Sequence, residues 1–259
     1  MMQRRDVLAG AFASAVGQAF ARPLVAAPSL PKHDDGRWAE GEALALCVGM
    51  DNYAHLDVLR TPLADSFAVA KSLLRLGFDV RYLQNPNFED FLLGLAVFRT
   101  LSAKAKTTVI YVAGHGGFAQ DELHILPVDA TVDVQQMATI PESTLLQAVS
   151  DKPRQKIFLL DCCRSRLAEA QIGKTSSRNP TAGLYTLYAA QPDAPAFEGE
   201  GELGPFADGL RRALLMPGLE IEEVARQTRA HVLLRTQGAQ IPWSHSSLLT
   251  RVILNPAPL

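Results

Sequence analysis

Three near-continuous apolar runs constrain this chain more than anything else in it. They are ALALCVGM (Ala43–Met50), TTVIYVA (Thr107–Ala113) and KIFLL (Lys156–Leu160). A strand with one wet face alternates apolar and polar residues. A run without alternation suits a strand covered on both faces, as in a parallel sheet. DVRYLQ (Asp79–Gln84) and GLYTLYAA (Gly183–Ala190) predict further strands, and SSLLTRVIL (Ser246–Leu254) a last one. Helical patterns lie between them. In TPLADSFAVAKSLLRLG, Leu63, Phe67, Ala70 and Leu74 share a face, with Thr61 as N-cap, Pro62 in the first turn and Gly77 at the end. NFEDFLLGLAVFRTLS repeats the pattern with Phe88, Phe91, Leu95 and Phe98. PESTLLQAVS, PFADGLRRALL and IEEVARQTRAHVLL predict three more helices, and DELHILPVD (Asp121–Asp129) a short extended excursion. Alternating strand and helix make the class α/β, with a mainly parallel central sheet, helices on both faces and right-handed crossovers.

A chain of 259 residues, 47% hydrophobic, is long enough to bury one sizeable core. A net charge of -2 and the lack of a long basic block argue against nucleic acid as a partner. The N-terminus stands apart. Arg4 and Arg5 precede a mildly apolar, Ala/Gly-rich run from Val7 to Phe20, and Ala19–Ala21 supplies a small-x-small cleavage pattern. Residues 1–21 therefore read as an export signal, of twin-arginine type. The run is too short and too rich in Ala and Gly for a stable membrane span. Residues 22–40 read as a flexible lead-in and residues 41–259 as the folded domain. The expected location is periplasmic or secreted.

Cys47, Cys162 and Cys163 are the only cysteines. An odd count with two neighbours is no disulfide framework. No Cys-x-x-Cys or matching His spacing points to zinc. No metal or cofactor is expected.

In a parallel sheet, functional groups collect at the carboxyl ends of strands. The third strand is followed by GHGG and the fourth by DCCR, and the helix after the first strand brings Asp65 to the same edge. A thiol nucleophile needs an imidazole partner, because the thiolate is the reactive form. His115 and a cysteine at the next strand end supply that pair. The Gly116 and Cys163 N–H groups are candidate oxyanion donors, and such a donor contributes about 3 kcal/mol to transition-state stabilisation. If the strand stays extended past Leu160, Asp161 and Cys163 point to one side and Cys162 to the other, among packing residues. A bend at the strand end would reverse the choice of sulfur.

YVAGHGG, HILPVDA and IFLLDCCRSR, in this order, resemble the caspase-like cysteine peptidases, and LRTPLADSFAVAKSLLRLGFDV resembles their first helix region. The resemblance runs from about Ala43 to at least Leu215. An acid-x-Cys-Arg motif, PL-x-D at the first helix and AAQPDAPAFE are similar to the paracaspase branch. The resemblance implies a caspase-like fold with about six central strands and an endopeptidase with a His115–Cys163 dyad. It makes Cys163, directly before the arginine, the nucleophile, with the Gly116 and Cys163 amides as the oxyanion hole. It also implies that Asp65, Asp161 and Glu198 line the first specificity pocket. Carboxylates can desolvate a basic side chain by pairing it, so the expected partners are polypeptides cut after Arg, with Lys weaker. A homodimer is a further expectation. Metacaspases share the basic preference and often need calcium. Cys162 stands where the family more often has a small or apolar residue. By analogy with caspase maturation, Lys174 and Arg178 in the segment Ser165–Pro180 are candidate self-cleavage points. The alternative is a catalytically silent caspase-fold module for binding or regulation.

Overall fold

The continuous apolar runs form the inner strands of one sheet. The computed structural model describes residues 41–119, 121–131, 138–152, 154–163 and 181–257. The proposed signal and lead-in, and the segment with Lys174 and Arg178, lie outside these residues. In chain order the elements are β1 (Ala43–Gly49), α1 (Pro62–Arg75), β2 (Asp79–Gln84), α2 (Phe88–Ser102) and β3 (Thr107–Gly114). Then come β4 (Gly116–Ala119), β5 (Glu122–Ile125), β6 (Ile140–Pro141), α3 (Glu142–Gln147), β7 (Gln155–Cys162) and β8 (Leu184–Tyr188). The chain closes with α4 (Pro205–Leu214), α5 (Ile221–Arg235) and β9 (Trp243–Ser246). The central sheet has six strands in the order β2-β1-β3-β7-β8-β9. All its pairings are parallel except β8 with β9.

Side-chain alternation divides the core into two layers. Val109, Tyr111, Ala113, Ile157 and Leu159 face a cluster completed by α1, α4 and α5. Ile110, Val112, Phe158, Leu160 and Cys162 face a second cluster with α2, α3 and β5. Both faces of β1, β3 and β7 are thus covered, which is why their sequences show no polar alternation. Phe78, Phe91, Phe98, Phe158 and Phe206 are almost completely enclosed. Each such burial contributes roughly 2–3 kcal/mol.

Three expectations need correction. The buried face of α1 is Asp65, Ser66, Val69, Ala70 and Leu73, while Leu63, Phe67 and Leu74 are half-buried. The helix is rotated because it seats its small side on the end of β1. A Cβ on Gly49 would stand 2.2 Å from Ser66 Oγ, so only glycine permits the contact. Thr61 does stand at the N-cap position, as expected, but its side chain makes no cap hydrogen bond. Its hydroxyl bonds to Asp65 instead. The last strand is Trp243–Ser246, not Ser246–Leu254. Val252 and Leu254 are buried without joining the sheet, and Ile253 makes one isolated bridge with Glu220. β9 itself is largely exposed and carries no apolar signal. GHGG also opens a second, three-stranded sheet, β4-β5-β6, where the sequence suggested one excursion.

Candidate active site

Register brings the two candidate residues to neighbouring strand ends. Gly114 pairs with Cys162 at the ends of β3 and β7. His115 and Cys163 are the next residues, so they leave adjacent parallel strands, about 4.8 Å apart, at the same edge. Gly114 has φ +153, and a Cβ there would lie 2.5 Å from the Tyr53 hydroxyl. At Gly116, a Cβ would meet Cys162 Cβ at 2.8 Å and the Cys163 carbonyl oxygen at 3.3 Å. Glycine on both sides of His115 lets the turn press against the end of β7.

The His115 imidazole is held on two sides. Tyr53 packs edge-on with ring centroids 4.5 Å apart, and its hydroxyl oxygen accepts from the His115 N–H at 2.7 Å. His115 Nε2 lies 2.8 Å from the Asp57 carbonyl oxygen. A carbonyl can only accept, so this contact assigns the proton to Nε2 and leaves Nδ1 as the basic nitrogen.

The two sulfurs have different surroundings. Cys162 is fully buried, and its thiol points to the Val112 carbonyl oxygen at 3.9 Å. Burial pushes this thiol well above its ordinary range, with Asp161 and Cys163 adding to the shift. Cys163 is half-buried. Its sulfur accepts from the Ala196 N–H at 3.3 Å and points to the Ala196 carbonyl oxygen at 3.6 Å. Burial raises its pKa, Ala196 opposes this, and Asp161 and Glu198 add to it. At neutral pH this is a thiol, which needs a base before it can attack.

The three acids singled out in the sequence form one linked group, in which Asp161 and Glu198 act on Cys163 and Asp65 acts on Asp161. Asp65, at the first turn of α1, is 3% exposed and accepts from the Gly204 N–H at 2.8 Å. Asp161 accepts from the Tyr111 hydroxyl at 2.8 Å. Glu198 accepts from the backbone N–H groups of Arg60 and Thr61, ahead of α1. The charge influences link them: Glu198 acts on Asp65, and Asp65 on Asp161. Among the described residues each acid is held by neutral donors, and none is ion-paired with a Lys, Arg or His. Also among these residues, no group of three or more His, Cys, Asp or Glu could hold a metal ion.

Burial pushes the Asp65 carboxyl up to about 6, aided by Glu198 and Asp208 and opposed by Thr61 and Gly204. Burial and then Asp65 push Asp161 well above the carboxylate range, opposed by Tyr111. Folding therefore strengthens proton binding at Asp65. Its contribution to stability is full below the ordinary value of 3.8 and is lost as pH rises through about 6. Asp65→Asn should remove that part of the pH dependence. Its melting temperature, relative to the unmodified protein, is expected to improve as pH is raised from 4 to 7. Parallel melting curves across that range would contradict the assignment.

Sequence reasoning missed Tyr53, Tyr111, Asp57 and Ala196. Tyr111 is indistinguishable from core in an apolar run, and Asp57 and Ala196 act through backbone atoms. Of the other histidines, His55 and His245 are exposed and His124 is buried. His231 lies 3.1 Å from Asp208.

The sequence profile of the caspase domain, peptidase family C14, matches residues 42–254. The human mucosa-associated lymphoid tissue lymphoma translocation protein 1 is 28% identical over 159 residues, 61% of this chain and 19% of that protein. Its mouse homolog is 27% identical over 173 residues, 64% of this chain and 21% of that protein. The match thus spans about a fifth of the length of these relatives. Caspase-1 from Spodoptera frugiperda superposes with a TM-score of 0.62 at 16% identity, covering 83% of this chain and 90% of that one. At that identity the likeness concerns the fold.

Proposed function

Because the chain belongs to the caspase-domain family of cysteine peptidases, on the paracaspase branch, we propose that it is an endopeptidase cutting after Arg, and less readily after Lys, through a Cys163–His115 dyad. The observation that carries this reading is the group of three carboxylates beside Cys163, held by neutral donors and ion-paired with no described residue. Such a group is costly to keep ionised when empty. A bound guanidinium offsets that cost and fits carboxylates through its forked donors.

Chemistry follows from the tautomer. His115 Nδ1 takes the Cys163 thiol proton, and the sulfur attacks the scissile carbonyl carbon. The oxygen, now negative, faces the Gly116 and Cys163 N–H groups. Collapse expels the amine, which receives the proton from the imidazolium. Water then hydrolyses the thioester by the same proton route, restoring the thiol. For this sequence the present contacts of Cys163 with Ala196 must give way to substrate.

A panel of fluorogenic peptides varied only at the residue before the scissile bond, with and without calcium, tests the reading. Cleavage after Arg above Lys, and none after Asp, is expected. For a basic peptide, kcat/KM should rise with pH as Asp65 and Asp161, both raised by burial, ionise. Cleavage after Asp but not Arg would refute the pocket. A silent module would neither cleave the panel nor be labelled by an Arg-directed acyloxymethyl ketone. Two wider proposals rest on other grounds. Export rests on residues 1–21 and is tested by sequencing the mature N-terminus. Homodimerisation rests on the paracaspase resemblance and is tested by sedimentation at two concentrations.

A further inference from the structure

We propose that Tyr111 is the positioning residue of the basic pocket: its hydroxyl holds one oxygen of Asp161 and leaves the other to receive the substrate's cation. The inference rests on the arginine-pocket reading above and adds a residue that never touches substrate.

The geometry is specific. Ala113 lies opposite Asp161 and Tyr111 opposite Leu159 across the β3–β7 pair. Tyr111 and Asp161 therefore share the α1-side face, and the tyrosine ring runs along the sheet toward the carboxylate. Tyr111 is fully buried, and its hydroxyl donates to Asp161 Oδ2 at 2.8 Å. A buried phenol beside two acids stays protonated: burial, Asp161 and Asp65 all raise its pKa. It is thus a permanent neutral donor.

The groups facing Asp161 make that donor necessary. Asp65 faces it from α1 and Tyr111 from β3, while Cys162 and Cys163 adjoin it on its own strand end. Glu198 acts on both Asp65 and Cys163 from the loop after β8. Every charged neighbour in this set is an acid. The Tyr111 hydrogen bond is the influence that lowers the Asp161 pKa. It also fixes the carboxylate plane, since a bond to Oδ2 orients Oδ1. Two roles follow, ionisation and orientation, and both act through Asp161.

The test uses the full chain as wild type, Tyr111→Phe, Asp161→Asn and the double variant. Phenylalanine keeps the ring and removes only the hydroxyl. For an Arg peptide, Tyr111→Phe is expected to lose about tenfold in kcat/KM, mainly through KM. The acid limb of its pH profile should move to higher pH. Alkylation of Cys163 by iodoacetamide should stay within about twofold of wild type, because the dyad is untouched. The double variant should be no worse than Asp161→Asn, since removing the intermediary removes the coupling. Tyr111→3-fluorotyrosine, with a more acidic hydroxyl in the same shape, should move the acid limb to lower pH. An unchanged kcat/KM and acid limb in Tyr111→Phe would overturn the inference. So would a parallel loss of peptide cleavage and alkylation, or multiplicative losses in the double variant. A wild-type protein that cleaves after neither Arg nor Lys overturns the pocket reading, and this inference with it. A cleaving wild type beside an unaltered Tyr111→Phe overturns this inference alone.

Discussion

Cys163→Ala is expected to reduce peptide cleavage by roughly 10⁴-fold or more, to background, because no other group in the dyad can form the acyl intermediate. Cys162→Ala should keep most of the turnover. Cys162 is fully buried on the α2/α3 side of the sheet, whereas Cys163 is half-buried beside Ala196 and the acids. The expected cost of Cys162→Ala is in stability, about 1 kcal/mol for a small buried side chain, together with some slackening around Gly116. Steady-state turnover of an Arg peptide and thermal melting separate the two variants. Full activity in Cys163→Ala, or loss restricted to Cys162→Ala, would reverse the assignment of the sulfurs.

Asp161→Asn should have the second largest effect, and it should separate two readouts. An amide cannot neutralise a guanidinium withdrawn from water. Removing one partner of a buried ion pair costs about 3–5 kcal/mol, so kcat/KM for Arg peptides should fall by at least about a hundredfold. Near Cys163 the same change removes the negative influence that Asp161 exerts on the thiol when ionised. Iodoacetamide alkylation at fixed pH is therefore expected to proceed as fast as in wild type or faster. A fall in both rates would mean that Asp161 supports the dyad rather than the pocket.

Much of this arrangement is legible in the residues. The strands β1, β2, β3 and β7 follow from short runs whose burial pattern is local. His115 and Cys163 fall at strand ends because the apolar runs stop there. β9 is not legible for a related reason: the edge strand WSHS has no apolar face, while the more apolar Ser246–Leu254 segment buries Val252 and Leu254 outside the sheet. The rotation of α1 about its axis is not legible because it depends on a glycine, Gly49, against which Ser66 closes. No periodicity in the helix itself encodes that partner.

The sequence by itself determined the class, the inner strands and the helices between them, and the edge at which His115, Cys163, Asp65 and Asp161 collect. Those properties depend on side-chain period and chain direction, which neighbouring residues carry. Only the tertiary structure decided how each group is held. Tyr111 meets Asp161 across 50 residues, Glu198 meets Thr61 across 137, and Asp65 meets Gly204 across 139. Such contacts depend on register and on which helix face seats on the sheet. They join a carboxylate in the first turn of a helix, where an acid complements the helix dipole, to an acid group whose other members act on the Cys163 thiol.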